Sequence, residues 1–256
     1  MRIGIFIDKN VHENAAYYYE LAKEARKKAV GVEKAIKETE KAIEDVKKKK
    51  TEKKIRIKRK KEWYEAFHYF FTSGGKLVIG GKTAQQNDLV FKKYMEENDL
   101  FFHADIQGGS AVILKNGCAA TEDEIRETAQ FAASFSNAWK NGNASVDVYA
   151  VKKDQLSKHA QGGYIAAGAF AISGERRWFK ATPLGLKVVV ENDVPKILPA
   201  IYKNKFEKEI FIYPSKSGKE KGETARFLGR ILKTDEDELL SILPAGKTIA
   251  RNEKNR

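Results

Sequence analysis

The chain has one cysteine in 256 residues, Cys118, so an internal disulfide and a thiolate zinc site are both excluded. A lone thiol fits a reducing compartment. Histidine is scarce too. His12, His68, His103 and His159 are scattered, with neither an H-x-x-x-H pair nor a Cys-x-x-Cys, and no metal or cofactor is expected. Long apolar runs are missing: none approaches the roughly 18 residues that a bilayer span requires. Met1 to Ile7 is too short for a signal-peptide core, and acidic Asp8 follows at once. The chain is therefore expected in the cytoplasm, with no membrane partner. Walker spacing is absent as well. Gly80-Gly81-Lys82 and Gly108-Gly109-Ser110 lack the interval of a nucleotide-binding P-loop, although backbone amides in such turns can contact an RNA phosphate.

What the chain has is charge, and mostly of one sign. The charged fraction is 32% against 42% hydrophobic, as a globular module joined to a solvated helix would give. Of the net +13, ten units lie before residue 62, where twenty Lys/Arg face ten Asp/Glu. The densest tract contains Lys47, Lys48, Lys49, Lys50, Lys53, Lys54, Arg56, Lys58, Arg59, Lys60 and Lys61, with Glu52 as its single acid. So one-sided a run repels itself unless a polyanion relieves it, which points to a nucleic acid.

Residues 12–71 read as one long helix. Ala15, Tyr18, Ala22, Ala25, Ala29, Val32, Ile36, Thr39, Ile43 and Val46 step by three and four, the pattern of a coiled-coil seam. The register continues through Lys50, Lys53, Ile57 and Lys60 to Tyr64, Phe67 and Phe71. Sixty helical residues would reach roughly 90 Å. Beyond Thr72-Ser73-Gly74-Gly75 the pattern changes. Leu77-Val78-Ile79 reads as a strand closed by Gly80-Gly81, and Thr83 with Gln86 as a capping box opening a helix. Leu100 to Ile106 alternates as a strand: Leu100, Phe102, Ala104 and Ile106 face one side, Phe101, His103 and Asp105 the other. A strand from Ala111, a helix capped by Thr121 and Glu124, and strands over 145–151 and 164–172 follow. After Thr182, strands over 186–190 and 210–213 and short helices over 223–232 and 236–243 complete the chain. Few clean βαβ repeats occur, so the class is α+β: a long N-terminal coiled-coil helix, then a mixed α+β domain. The expected divisions are 1–71 for arm and basic tract, 72–182 for the domain, and 183–256 for a small C-terminal appendage.

The run Gly80-Gly81, Gln85-Gln86-Asn87, Lys93-Tyr94, His103-Ala104-Asp105, Gly108, Ser110 and Lys115-Asn116 resembles the NFACT-R domain. That domain is the presumed RNA-binding module of the ribosome quality-control family that includes nuclear export mediator factor. Ser136-x-Ala138-Trp139, Gln155-x-Ser157-Lys158, Gly163-Tyr164 and Gly168-x-Phe170-x-Ile172-x-Gly174 extend the likeness, and Glu13-Asn14-Ala15 with Tyr18-Tyr19 resembles the opening of the family's coiled-coil arm. The resemblance implies binding of rRNA or tRNA on the large ribosomal subunit where stalled chains are handled. It supplies no catalytic role. Family members carry an amino-terminal domain and a helix-hairpin-helix segment before the arm, and nothing of that kind stands before Met1 here. The expected coil partner is therefore a separate chain of NFACT-N type, or a second copy of this one.

Within the globular part, Lys82, Lys92, Lys93, Lys115, Lys152, Lys153, Lys158, Arg176 and Arg177 flank the turns, with Tyr94, Tyr149 and Tyr164 nearby. Cationic loops beside aromatics suit phosphate contact and stacking on unpaired bases. Two readings of other classes stand beside RNA binding. One is a structural interaction module whose basic tract is incidental. The other is a hydrolase in which Asp105 orients His103 as a base, with Ser110 as nucleophile; Gly108-Gly109-Ser110-Ala111 is not the elbow such an enzyme expects.

Overall fold

The computed structural model describes residues 4–51, 61–160 and 163–251. Two compact units make up the chain, Met1–Lys60 and Lys61–Arg256. The first is dominated by α1, Val11–Thr51, whose 41 residues span about 60 Å. Asn10 and Glu13 cap it reciprocally: each side chain accepts the other's backbone N–H at 2.9 Å. Asn14 is buried, accepts the Phe6 N–H at 2.8 Å, and reaches back to the Phe6 carbonyl at 3.0 Å. The family-like Glu13-Asn14 pair thus fastens the leading segment to the first turn. Val32, Ile36 and Ile43 of the seam stand 57%, 50% and 49% exposed, an apolar stripe left to water.

The helix does not run on to 71. Trp63–Ala66 is a single 3-10 turn, and β1 (His68–Phe71) is a strand. Three consecutive aromatics, Tyr69-Phe70-Phe71, favour the pleated surface. The Thr72–Gly75 turn, with Gly75 at φ +82°, folds them back on β2 (Leu77–Gly80), so that His68 pairs with Gly80 and Phe71 with Leu77. Thr83 caps α2 (Ala84–Leu89) by accepting the Gln86 N–H, while the Gln86 side chain accepts from Lys82 rather than completing the box at Thr83. One π-helical turn, Val90–Tyr94, continues α2.

β3 (Leu100–Ala104), β4 (Val112–Leu114), α3 (Glu122–Ser134), α4 (Asn137–Lys140) and β5 (Ser145–Lys152) follow. Then come four two-residue strands: β6 (Leu156–Ser157), β7 (His159–Ala160), β8 (Gly163–Tyr164) and β9 (Ala171–Ile172). The strand expected over 164–172 is thus only its two ends. Between them the chain turns at Gly168 (φ +79°), whose N–H donates to Asp88 at 3.1 Å, and Phe170 is delivered onto Phe91 and Phe101. β10 (Arg177–Pro183) closes a six-stranded antiparallel sheet of order β1-β2-β4-β3-β5-β10.

The alternation along β3 is as expected. Phe102 and Ala104 join the core under α3, with Leu100 and Ile106 against it, while Phe101 points into the opposite layer with Ile79, Ile113 and Tyr149. Thr121 and Glu124 form the expected capping box of α3.

A second sheet follows, of order β12-β11-β13-β14, from β11 (Leu186–Glu191), β12 (Val194–Pro199), β13 (Glu209–Lys219) and β14 (Thr248–Arg251). Before β14 lie α5 (Lys221–Leu232) and α6 (Glu236–Ile242). Residues 183–256 are not peripheral. Val188, Leu228 and Leu243 share one buried cluster with Phe70, Phe102 and Trp139, and the Trp139 indole donates to Thr248 Oγ1 at 3.1 Å. Strands β1, β10, β12 and β14 carried no clear sequence signal.

Candidate nucleic-acid interface

The two glycine turns meet at the ends of the paired strands β2 and β4. Gly81 donates its N–H to the Ala111 carbonyl at 3.2 Å, and Ser110 Oγ donates to the Gly81 carbonyl at 2.7 Å. Asn87, buried at the end of the Gln-Gln-Asn run, spans both: its Oδ1 accepts the Ala111 N–H at 3.0 Å and its amide reaches the Gly109 carbonyl at 3.4 Å. These contacts require glycine. A Cβ on Gly81 would stand 2.2 Å from Asn87 Oδ1, and one on Gly108, at φ +80°, 2.1 Å from Asn137 Nδ2. Asn137 in turn donates to the Gln107 carbonyl at 2.9 Å.

His103 lies against this turn. Burial lowers its pKa, and its contacts with the Ala104 and Gly109 backbone and the Asp105 charge oppose that. Asp105 is exposed. Ser110 donates its proton to a main-chain carbonyl, not to an imidazole as a serine nucleophile would. The constellation is a structural clasp.

The clasp forms one wall of a groove of about 610 Å³. Its lining includes buried Phe101 and Tyr149, half-buried Phe170, Ala166–Ala169 beside α2, and the cations Lys82 and Lys140. Lys82 has its pKa lowered by desolvation, then by Lys221 and Lys61. His68, stacked on Phe135 at 3.9 Å, also lines the groove; burial, then Lys82 and Lys221, hold it well below the usual imidazole range.

The remaining basic residues divide into two sets. Lys115 gives its three protons to Asp99 (2.6 Å), Glu96 (2.9 Å) and the Tyr94 carbonyl (2.9 Å), and Asp99 is wholly buried. Lys158 is 8% exposed, paired with Asp88, bonded to the Ala169 carbonyl at 2.6 Å and set over the Phe170 ring. Both are internal struts. Arg177 pairs with Glu122 at 2.5 Å and Lys153 with Glu97 at 2.9 Å. Lys92, Lys93 and Lys152 are exposed, and Arg176 covers the Tyr149 ring at 4.8 Å. In the basic tract, Lys53, Lys54, Arg56, Lys58, Arg59 and Lys60 lie outside the described residues, as do the side chains of Lys47, Lys48, Lys49 and Lys50. Lys61 is exposed. Lys140 escaped the sequence reading because it sits beside no motif turn; the fold brings it to the groove.

The glycine-clasped groove lies on the six-stranded antiparallel sheet, and residues 66–174 match the model of the NFACT protein RNA binding domain. The archaeal Rqc2 homolog aRqcH of Methanocaldococcus jannaschii is 40% identical over 203 residues, covering 75% of this chain and 30% of that protein. The ribosome quality control complex subunit NEMF homolog of Drosophila melanogaster is 38% identical, covering 67% and 18%, and the human subunit NEMF 32% identical, covering 65% and 16%. The chain carries an NFACT-R domain and is related to proteins named as ribosome quality-control subunits. It spans under a third of the length of these relatives.

Proposed function

We propose that this chain binds RNA on stalled, obstructed ribosomes, contacting rRNA of the large subunit, tRNA, or both, and that it acts in the cytoplasm without catalysing a reaction. The observation that carries this reading is the convergence of the family motif on one groove: Gly81, Asn87, His103, Gly108 and Ser110 shape it, and Lys82 and Lys140 line it. Basic side chains at a groove mouth supply phosphate contact, and half-buried Phe170 supplies aromatic surface for an unpaired base. Lys82, Lys92, Lys93, Arg176, Arg177 and the tract Lys47–Lys61 are assigned to RNA. Lys115 and Lys158 are withdrawn from that set, because their ammonium groups are spent inside the fold.

A second reading concerns the helix. The exposed Val32, Ile36 and Ile43 stripe supports pairing with a separate NFACT-N-type chain or a second copy of this one. Mass measurement in solution, with and without co-purified protein, tests it: a stable monomer with a fully formed helix would defeat both pairings. For the RNA reading the test is binding across a salt series. Affinity that falls steeply with salt supports it, and absence of binding at low salt refutes it.

A further inference from the structure

The family match ends at residue 174, yet the groove does not. Pro244 and Ala245, in the loop between α6 and β14, also line it. That loop is set by close packing. Gly246, at φ +119°, lies so near α4 that a Cβ there would stand 2.9 Å from Lys140 Cα, and the Trp139–Thr248 hydrogen bond fixes the strand that follows. Lys140 then faces two ways. It lines the groove, and it lines a second, more open depression of about 610 Å³ with Asn141, Asn143, Lys216, Glu220 and Lys247. Gly142 (φ +71°) lets β13 approach, its would-be Cβ 3.0 Å from Lys216 Cγ. Lys140 and Lys216 are exposed and in no ion pair among the described residues, while Lys247 stands 3.7 Å from Glu220. A cationic path thus leaves the groove and crosses onto the second sheet.

We propose that residues 183–251 are a working part of the RNA site: an unpaired base occupies the groove, and its neighbouring phosphates follow Lys140, Lys216 and Lys247. The inference rests on the RNA-binding reading above. The groove volume falls within the ~300–1,000 Å³ of sites that enclose a small organic group. Of the aromatic residues on its lining, Phe101 and Tyr149 are buried and Phe170 is half-buried, so a base entering the groove meets Phe170, an approach that single strands offer and a closed duplex does not. The lysines beyond it hold backbone only, so they add affinity without reading sequence.

The test uses the full chain and two fluorescein-labelled probes, a twelve-nucleotide oligouridine and a blunt RNA duplex, titrated by anisotropy across salt. The wild type binds the single strand more tightly. Replacing Lys216 and Lys247 together with Gln leaves the thermal melt unchanged and lowers the log–log salt slope for the single strand by about 1.4, at about 0.7 per phosphate. Ala245→Trp fills the groove from the second-sheet side and abolishes the single-strand preference at an unchanged slope. Ala167→Trp does so from the Ala166–Ala169 segment of the lining, in case the first variant fails to fold. A wild-type slope in the Lys216/Lys247 variant, or a retained single-strand preference in both folded tryptophan variants, overturns the proposal while RNA binding stands. If the wild type binds neither probe, the RNA reading itself falls and this proposal with it.

Discussion

Glu124 is the residue through which α3 holds the hairpin of β1 and β2. Its carboxylate accepts from the Thr121 N–H at 2.8 Å, from Thr72 Oγ1 at 2.7 Å, and from the Lys76 ammonium at 2.9 Å, with its side chain only 1% exposed. Burial pushes its pKa up, but the combined hydrogen bonds from Thr121, Lys76 and Thr72 outweigh that and bring it from 4.5 to about 2. At about 1.36 kcal/mol per pH unit this linkage stabilises the folded unit by about 3 kcal/mol. A depressed carboxylate pKa means that the contribution is complete above pH 4.5 and disappears as pH falls toward 2. Glu127, whose pKa burial raises, works in the opposite sense, so the difference between wild type and a Glu124 variant is the cleaner quantity. Glu124→Gln should lose about 2–3 kcal/mol at pH 7 in urea unfolding. The gap should narrow steadily as pH drops below 4.5. Equal stability of the two proteins at pH 7, or a gap that widens with acid, would refute the reasoning.

Lys115→Met leaves the buried Asp99 carboxylate with only its two backbone donors, and should destabilise by about 2–4 kcal/mol without altering the RNA salt slope of the folded protein. Gly108→Ala, strained by its positive φ and by the Asn137 amide, should cost about 1–3 kcal/mol by the same unfolding assay. Asp105→Ala, at an exposed site, should stay within about 0.5 kcal/mol of wild type. Converting Lys58, Arg59, Lys60 and Lys61 to Gln should flatten the RNA salt slope by about 0.7–0.9 for each phosphate no longer neutralised, with the melt unchanged.

Local signals were legible where one residue type has a single job. Capping by Thr83 and by Thr121 with Glu124, the two-residue alternation of β3, and the glycine turns all stood in the sequence as they stand in the fold. Apolar steps of three and four misled at 64–71, because Tyr64, Phe67 and Phe71 fit a helical register as well as they fit a 3-10 turn and a strand. Pairing decided the matter, and pairing is not local. The same limit hid the groove. Lys115 and Lys158 looked like surface cations until Asp99 and Asp88 were brought to them from elsewhere in the chain. Lys140, Lys216 and Lys247 looked unrelated until the Trp139–Thr248 hydrogen bond and the close approaches at Gly142 and Gly246 set α4 against the second sheet.

Sedimentation of the tagged protein through sucrose gradients with isolated large ribosomal subunits, at low and at high salt, addresses the central claim of RNA binding. Lysine-to-phosphate binding predicts migration with the large subunit at low salt and release to the top of the gradient at high salt. Protein that remains at the top at low salt, or that stays with the subunit regardless of salt, would contradict it.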